Sequence, residues 1–435
     1  MQAVIMAGGK GTRLAALTKD EIPKPMLPVG GKPILQWQVE SLVRGGITDI
    51  ILCVGHLGDR ISAYFSDGSA FGARIRCYFE DTPLGSAGAL AYIRPWLEDT
   101  FFLLSGDLVL DIDWGRMLRC HREKGAEVTL FAHPNSHPYD SDLIVSDRSG
   151  FAIRFDSKHN RRDYWYDNCV NAGILAAGPS FCDRVVPGRK ANLENDILRR
   201  MIEERRPVYV YRSSEYVRDA GTPERIAAVE RDLASGYVSS RSLSRPQKCI
   251  FLDRDGTVNR ENGFISREEE FVLEPRAAEA IRRINASGYL AIVATNQPVV
   301  ARGECTMEDL ENIHNKMKTL LGQEGAYLDD CVFCPHHPDK GFPGENPDYK
   351  RDCACRKPRP GLLFACAEKY NIDLSASWMV GDTTTDLETG RNAGTHTALV
   401  RTGLAGGDGK YSADAEIAGR DILDAVERIL DLETK

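Results

Sequence analysis

Short apolar runs alternate along the chain with longer stretches whose apolar positions recur every three or four residues. Residues 3–7, 50–54, 100–104 and 128–131 are brief and rich in β-branched or aromatic side chains, which predicts strands. Residues 34–42, 85–92 and 193–203 carry helical spacing. The pattern restarts with strands at 249–252, 290–294, 378–380 and 397–400, separated by helices at 275–286, 306–321 and 361–370. Such alternation predicts an α/β fold of parallel sheets covered by helices. Residues 236–247 are Ser-rich, poor in large apolar side chains and contain Pro246, as expected of a flexible linker. The chain is therefore expected to comprise a domain at 1–235, a linker at 236–247 and a domain at 248–435. No fixed period relates the halves, so they read as a fusion of unlike domains.

A length of 435 residues is ample for two domains, and 42% hydrophobic with 27% charged residues predicts folded structure. The 55 Lys and Arg against 63 Asp and Glu give a formal charge of −8, a poor match to nucleic acid or an anionic membrane. No run approaches the ~20 apolar residues of a membrane span. The first apolar run stops at Gly8-Gly9, without the pattern of a secretory leader, so a cytoplasmic protein is expected. Its 12 cysteines are then expected to be reduced, with room for one metal site. A homo-oligomer is compatible with all of this.

The first strand runs into Gly8-Gly9-Lys10-Gly11-Thr12-Arg13-Leu14. Glycines let backbone N–H groups approach phosphate oxygens, and Lys10 and Arg13 add positive charge. The loop lacks the Gly-Lys-Ser/Thr of a Walker loop and the third Gly of a dinucleotide fingerprint, and alone it also fits a plain glycine turn. Further on come Pro23-Lys24-Pro25, Glu80-Asp81-Thr82-Pro83-Leu84-Gly85, Ser105-Gly106-Asp107, Asn171-Ala172-Gly173, Glu194 and Asp219-Ala220-Gly221. In this order the set resembles the sugar-1-phosphate nucleotidylyltransferases, over most of residues 1–235. The resemblance implies a Rossmann-like domain with a mixed sheet. It implies that Arg13 and Lys24 hold the triphosphate and that Gly8, Gly9, Gly11 and Thr12 form the phosphate loop. Glu80 and Gly85 would line the base and sugar side, with Lys158, Asn171, Gly173 and Glu194 on the sugar phosphate. Asp107 and Asp219 would hold Mg²⁺. Where the family has Glu-Lys-Pro, this chain reads Ser157-Lys158-His159.

In the second half, Asp253-Arg254-Asp255-Gly256-Thr257 ends a predicted strand. Carboxylates spaced i, i+2 on extended backbone face the same way, so one can attack phosphorus while the other handles the leaving-group proton. With Thr295-Asn296, Lys357 and Asp382, this resembles the haloacid dehalogenase-like phosphatases over roughly 248–400. The resemblance implies a Rossmannoid domain in which Asp253 is nucleophile and Asp255 general acid and base. Thr295, Asn296 and Lys357 would meet the phosphate, and Asp253, Asp255 and Asp382 would hold Mg²⁺.

Cys334-Pro335-His336 and Cys353-Ala354-Cys355 offer three thiolates and one imidazole, a closed tetrahedral set for structural Zn²⁺. Cys331 and His337 are close alternatives, and four unrelated loop residues is the plain one. The strings around these residues resemble D-glycero-D-manno-heptose 1,7-bisphosphate 7-phosphatases, which implies that Arg356 joins Lys357 near substrate. Pairing the two resemblances leads to one expectation. The chain would dephosphorylate heptose 1,7-bisphosphate at C7 and then transfer a guanylyl group from GTP to heptose 1-phosphate. Its partners would be sugar phosphates and a nucleoside triphosphate. The alternatives are a hexose-1-phosphate nucleotidylyltransferase fused to another phosphatase, and a catalytically dead sugar-nucleotide sensor.

Overall fold

The computed structural model describes every residue except 10, 342, 413, 434 and 435. It divides into two compact units. Unit 1 comprises residues 1–133, 142–157 and 170–244, and unit 2 comprises 134–141, 158–169 and 245–435.

Unit 1 is built on a nine-stranded mixed sheet. Its central path runs Ala152–Asp156, Leu143–Ser146, Val170–Ala177, Phe101–Ser105, Gln2–Ala7, Asp49–Val54, Arg74–Phe79. The last four strands of this path are mutually parallel, whereas Val170–Ala177 runs antiparallel to Phe101–Ser105. Gln2–Ala7 is buried along nearly its whole length, as a strand covered on both faces requires. A separate ribbon pairs Leu108–Asp111 with Tyr216–Asp219 in antiparallel register. Behind the sheet, Trp114 packs on Phe102 and donates its indole N–H to Ser41 Oγ at 3.1 Å.

Two stretches depart from the expected pattern. Helical spacing at 85–92 yields only Leu90–Ile93, because Gly85 sits at φ +84° and the preceding residues turn. Residues 193–203 form a π-turn, Leu193–Leu198, followed by a short α-helix, Arg199–Glu203.

Of the segment read as a flexible linker, residues 236–244 are packed in unit 1 and residues 245–247 belong to unit 2. Tyr237–Ser240 is helical, and Val238, Arg241 and Leu243 are buried. The Arg241 Nε donates to Ser214 O at 3.1 Å, and Leu243 N donates to Glu215 Oε1 at 3.0 Å. Composition alone did not reveal these partners.

Unit 2 contains a six-stranded, all-parallel sheet in the order Asp330–Cys334, Tyr289–Asn296, Lys248–Leu252, Trp378–Gly381, His396–Val400, Ile417–Gly419. Helices Ala277–Asn285 and Ile422–Glu433 share one core with it. The unit also takes in residues 134–141 and 158–169, from within the transferase-like sequence.

Candidate active sites

In unit 1 the phosphate-loop candidates gather around Lys24 and the Asp107–Asp219 ribbon. Gly11 has φ +62°, and a Cβ there would fall 2.9 Å from Lys24 Cβ, so the loop lies directly on that side chain. A Cβ at Gly8 would stand 2.8 Å from Glu80 Oε2, whereas Gly9 has open space around it. Lys10 and the side chain of Thr12 lie outside the described residues.

The ribbon sets Asp219 opposite Leu108, and Ala220 N donates to Asp107 O at 2.8 Å, which brings the two expected metal ligands to one place. Lys24 Nζ is paired with Asp107, and Arg225 Nη1 donates to Asp219 Oδ1 at 2.6 Å. A Cβ at Gly221 would meet Asp219 Oδ1 at 2.7 Å, Arg13 Nη2 at 3.2 Å and Lys24 Nζ at 3.4 Å. Two carboxylates beside two cationic side chains can bind a triphosphate and a hard divalent cation together.

On the other side of the site, Ala191 N donates to Leu84 O at 2.9 Å and Ala87 N to Ala191 O at 3.1 Å. Leu193 N donates to Ser86 Oγ at 2.8 Å. These bonds fix the Gly85 loop against the turn that carries Glu194. Burial raises the carboxyl pKa of both Glu80 and Glu194. The pairing of Val170–Ala177 with Val128–His133 slips between Asn171 and Leu175. Within that slip Gly173 has φ +72°, and a Cβ there would lie 3.1 Å from Ser105 Oγ. Lys158 is not gathered with this group. It belongs to unit 2, where its ammonium lies 3.9 Å from Asp140.

In unit 2, Asp253 and Asp382 follow adjacent parallel strands, and Asp253 N donates to Val380 O at 2.8 Å. Asp253, Asp382 and Asp386 bring carboxylate oxygens within 4.8 Å of one another. Lys357 Nζ lies 2.8 Å from Asp253 and 2.5 Å from Asp386. Burial, then repulsion from Asp386, pushes Asp253 up to about 7. Burial, then Asp253, pushes Asp382 up to about 8. Asp382 Oδ2 accepts from Leu404 N at 2.7 Å, while its buried Oδ1 has no hydrogen-bond partner. An orphaned carboxylate oxygen among acidic neighbours is what a divalent cation would satisfy. A Cβ at Gly256 or Gly403 would fall 2.3 or 2.2 Å from Asp382 Oδ2, so both positions must remain bare.

The Asp255 carboxylate, expected among the Mg²⁺ ligands, stands outside this cluster. It accepts from Arg254 Nη2 at 2.7 Å, Asn259 Nδ2 at 3.0 Å and Gln297 Nε2 at 2.8 Å. Gln297 also donates to Thr295 Oγ1 at 3.0 Å, tying the second strand's tip to Asp255. The Asn296 side chain, expected on phosphate, is taken up at both ends by Lys357: Nδ2 donates to Lys357 O at 3.1 Å, and Oδ1 accepts from Lys357 N at 2.9 Å. Arg356 Nη1 donates to His336 O at 3.1 Å, which links the phosphate side to the cysteine loop.

Sequence reasoning gave no role to Arg254, Asn259, Gln297 or Asp386. Asp386 carried a readable signal. It stands three residues after Thr383 and closes a capping box with it, accepting from Thr383 N at 3.1 Å and Thr383 Oγ1 at 2.6 Å.

Cys334 Sγ lies 3.5 Å from Cys353 Sγ and 3.2 Å from Cys355 Sγ, and His336 Nδ1 lies 3.6 Å from Cys334 and 3.4 Å from Cys355. Among the described residues these four form the one cysteine-containing cluster able to hold a metal, and Cys331 and His337 are not in it. Hydrogen bonding between the Cys334 and Cys355 sulfurs lowers Cys355 to about 5 and raises Cys334. All 12 cysteines are free thiols.

A family profile described as Nucleotidyl transferase matches residues 2–236, more than half of the chain. The chain belongs to that family. Residues 354–427 match a second profile, HAD-hydrolase-like. A UTP–glucose-1-phosphate uridylyltransferase of Synechocystis is 33% identical over 223 residues, 48% of this chain and 57% of that enzyme. A D-glycero-β-D-manno-heptose-1,7-bisphosphate 7-phosphatase of Pseudomonas putida is 39% identical over 157 residues, 36% of this chain and 83% of that enzyme. With that coverage the chain also belongs to the phosphatase family. Among solved structures, a D,D-heptose 1,7-bisphosphate phosphatase from B. bronchiseptica is 34% identical, with TM-score 0.38, over 43% of this chain and 99% of its own. HddC from Yersinia pseudotuberculosis is 22% identical, with TM-score 0.47, over 53% of this chain and 99% of its own. No helix among the described residues is long and apolar enough to cross a membrane.

Proposed function

We propose that the chain is a bifunctional enzyme of GDP-heptose synthesis, first a heptose 1,7-bisphosphate 7-phosphatase and then a heptose-1-phosphate guanylyltransferase. One observation carries this reading: a nucleotidyl transferase and a relative of heptose bisphosphate 7-phosphatases occupy a single chain. Loss of the distal phosphate leaves a sugar 1-phosphate, which is what a nucleotidyl transferase activates. The guanylyl choice rests on analogy with nucleotidylyltransferases for manno-configured sugars.

In the phosphatase, Asp253 attacks the C7 phosphate and forms an aspartyl-phosphate, with Lys357 beside it holding the phosphate oxygens. Asp255, fixed by Arg254, Asn259 and Gln297, delivers the proton to the departing sugar oxygen and later draws one from water. Asp253 and Asp382 would hold Mg²⁺, with Asp386 beside them, and the cation when bound neutralises charge on the phosphoryl group. Cys334, His336, Cys353 and Cys355 would hold structural Zn²⁺.

In the transferase, the sugar phosphate oxygen attacks the α-phosphate while Arg13 and Lys24 hold the leaving pyrophosphate. Asp107 and Asp219 would hold its Mg²⁺. Glu80 and the Gly85 loop orient the base, and Asn171, Gly173 and Glu194 the sugar.

The likeness to a UTP–glucose-1-phosphate uridylyltransferase favours a second reading, hexose 1-phosphate with UTP. Both are tested by incubating the purified chain with heptose and hexose phosphates, each anomer separately, against the four triphosphates. GDP-heptose by mass spectrometry, formed from the bisphosphate only after phosphate release, is the expected product. A matrix that yields UDP-hexose and no GDP-heptose overturns the first reading in favour of the second.

A further inference from the structure

Residues 134–141 and 158–169 are bound into unit 2 by specific contacts. Tyr166 N donates to Thr319 Oγ1 at 3.0 Å, Thr319 Oγ1 donates to Tyr166 O at 3.1 Å, and Lys318 pairs with Asp167 at 2.8 Å. The two segments also hold each other. Arg162 Nη1 donates to Pro138 O at 2.7 Å and Nη2 to Ser141 O at 2.6 Å, while Asn168 Nδ2 donates to Asn135 O at 2.7 Å. Neither phosphate release nor nucleotidyl transfer as derived above uses any of these residues.

Where the segments meet the helix Met307–Gln323 lies a cavity of about 820 Å³, and every residue lining it belongs to unit 2. None of Asp253, Asp255, Lys357, Asp382 or Asp386 lines it. Its walls carry Tyr139, Tyr164, Trp165 and Tyr166. From this surround we propose that unit 2 holds a second, non-catalytic site that binds a neutral saccharide.

Aromatic faces offer flat apolar area at small cost in side-chain entropy, suited to the C–H face of a pyranose ring. Asn312 and Gln323 from the helix each add amide donors and an acceptor, matching hydroxyls that both donate and accept. A purely apolar ligand would strip water from these amides without replacing its hydrogen bonds. A phosphorylated ligand is opposed by carboxylates, and the Lys316 ammonium, 5.5 Å from the Trp165 ring, already donates to Glu268 O. The Arg162 guanidinium already serves two carbonyls, and Asp163 and Glu268 on the wall are acidic. The volume lies within the range of small-molecule sites, and the clamped walls are formed in advance, which lowers the cost of binding.

The test uses the full-length chain, ¹⁵N-labelled, with its five tryptophan indole signals followed during titration with methyl mannoside, glucose and mannose 1-phosphate. Trp165 is assigned by the signal missing in Trp165→Phe. A neutral sugar should shift that signal, Asn312→Ala and Gln323→Ala should each weaken binding up to about tenfold, and mannose 1-phosphate should bind more weakly than methyl mannoside. Asn312 and Gln323 are exposed, so neither variant alters the buried face of the helix. The proposal is overturned if neither neutral sugar moves the Trp165 signal, if both amide variants bind as tightly as the parent, or if the phosphorylated sugar binds best at this site.

Discussion

Burial, together with Asp386 at Asp253 and with Asp253 at Asp382, raises these carboxyls to about 7 and about 8, so each holds a proton near neutrality unless a cation replaces it. A cation binds only the ionised carboxylates, and binding below these values must release protons. Mg²⁺ affinity at the phosphatase centre should therefore rise as pH increases from 6 towards 8 and level off above. Calorimetric titration in buffers of different ionisation enthalpy would show the proton release directly. A pH-independent affinity would contradict the site as drawn. Asp386 is expected to act through Lys357 and the Thr383 cap, and Asp386→Asn should cost about 10–100-fold in phosphatase turnover or Mg²⁺ affinity. Phosphate release at several Mg²⁺ concentrations would check this. At this scale the sequence was readable where chemistry is carried by adjacent residues, as with Asp253 and Cys353-Ala354-Cys355. It was opaque where a side chain's partner comes from another strand: nothing in the sequence joins Gln297 to Asp255, or directs the Asn296 amide to the Lys357 backbone.

At the scale of elements, parallel strands with continuous apolar runs were legible because both their faces are buried. Residues 85–92 were not, since their periodicity is outweighed by the Gly85 turn and its bonds to Ala191. The segment at 236–247 misled for a related reason. Its serines read as solvent-facing, yet Leu243 N reaches the buried carboxylate of Glu215, which also accepts from Asp113 N at 2.6 Å and Ser213 Oγ at 3.0 Å. Burial outweighs those three donors and pushes Glu215 up to about 7. Below about pH 4.5 the group is protonated in both folded and unfolded chains and contributes nothing. Between there and 7 the unfolded chain ionises first, so stability falls as pH rises, by up to about 3 kcal/mol, and stays lower above 7. Glu215→Gln removes that dependence. Its destabilisation relative to the parent should be largest near pH 5 and shrink towards pH 8 in urea titrations, whereas a constant difference would mean that Glu215 is not protonated on folding. The cysteine loop predicts a different response. About one zinc per chain should be found in unchelated protein. Stripping it should speed amide exchange through 334–357 more than in the sheet, because the metal replaces packing that the loop lacks.

For the whole molecule, separate metal-ligand sets in separate units predict chemically independent sites. Asp253→Asn removes the nucleophile, one expected Mg²⁺ ligand and a partner of Lys357, all within unit 2. It should abolish distal phosphate release yet leave transfer to supplied heptose 1-phosphate nearly intact, and Asp107→Asn should do the reverse. Truncation is a different matter, because the units are not contiguous stretches of sequence. Residues 134–141 and 158–169 lie within the transferase-like sequence but pack in unit 2, and a Cβ at Gly322 would fall 2.5 Å from Pro138 Cγ. A chain ending at residue 244 would lose the helix on which Tyr166 and Asp167 are bonded. A chain beginning at 245 would expose Thr319 and Gly322, both buried in the intact protein. Each fragment should therefore melt lower and aggregate more readily than the full chain. Mixing the two fragments should restore part of the lost stability by returning Tyr166 to Thr319. Two fragments as stable and soluble as the intact protein would show that the transferase-derived segments are ornaments on unit 2 and not part of its structure.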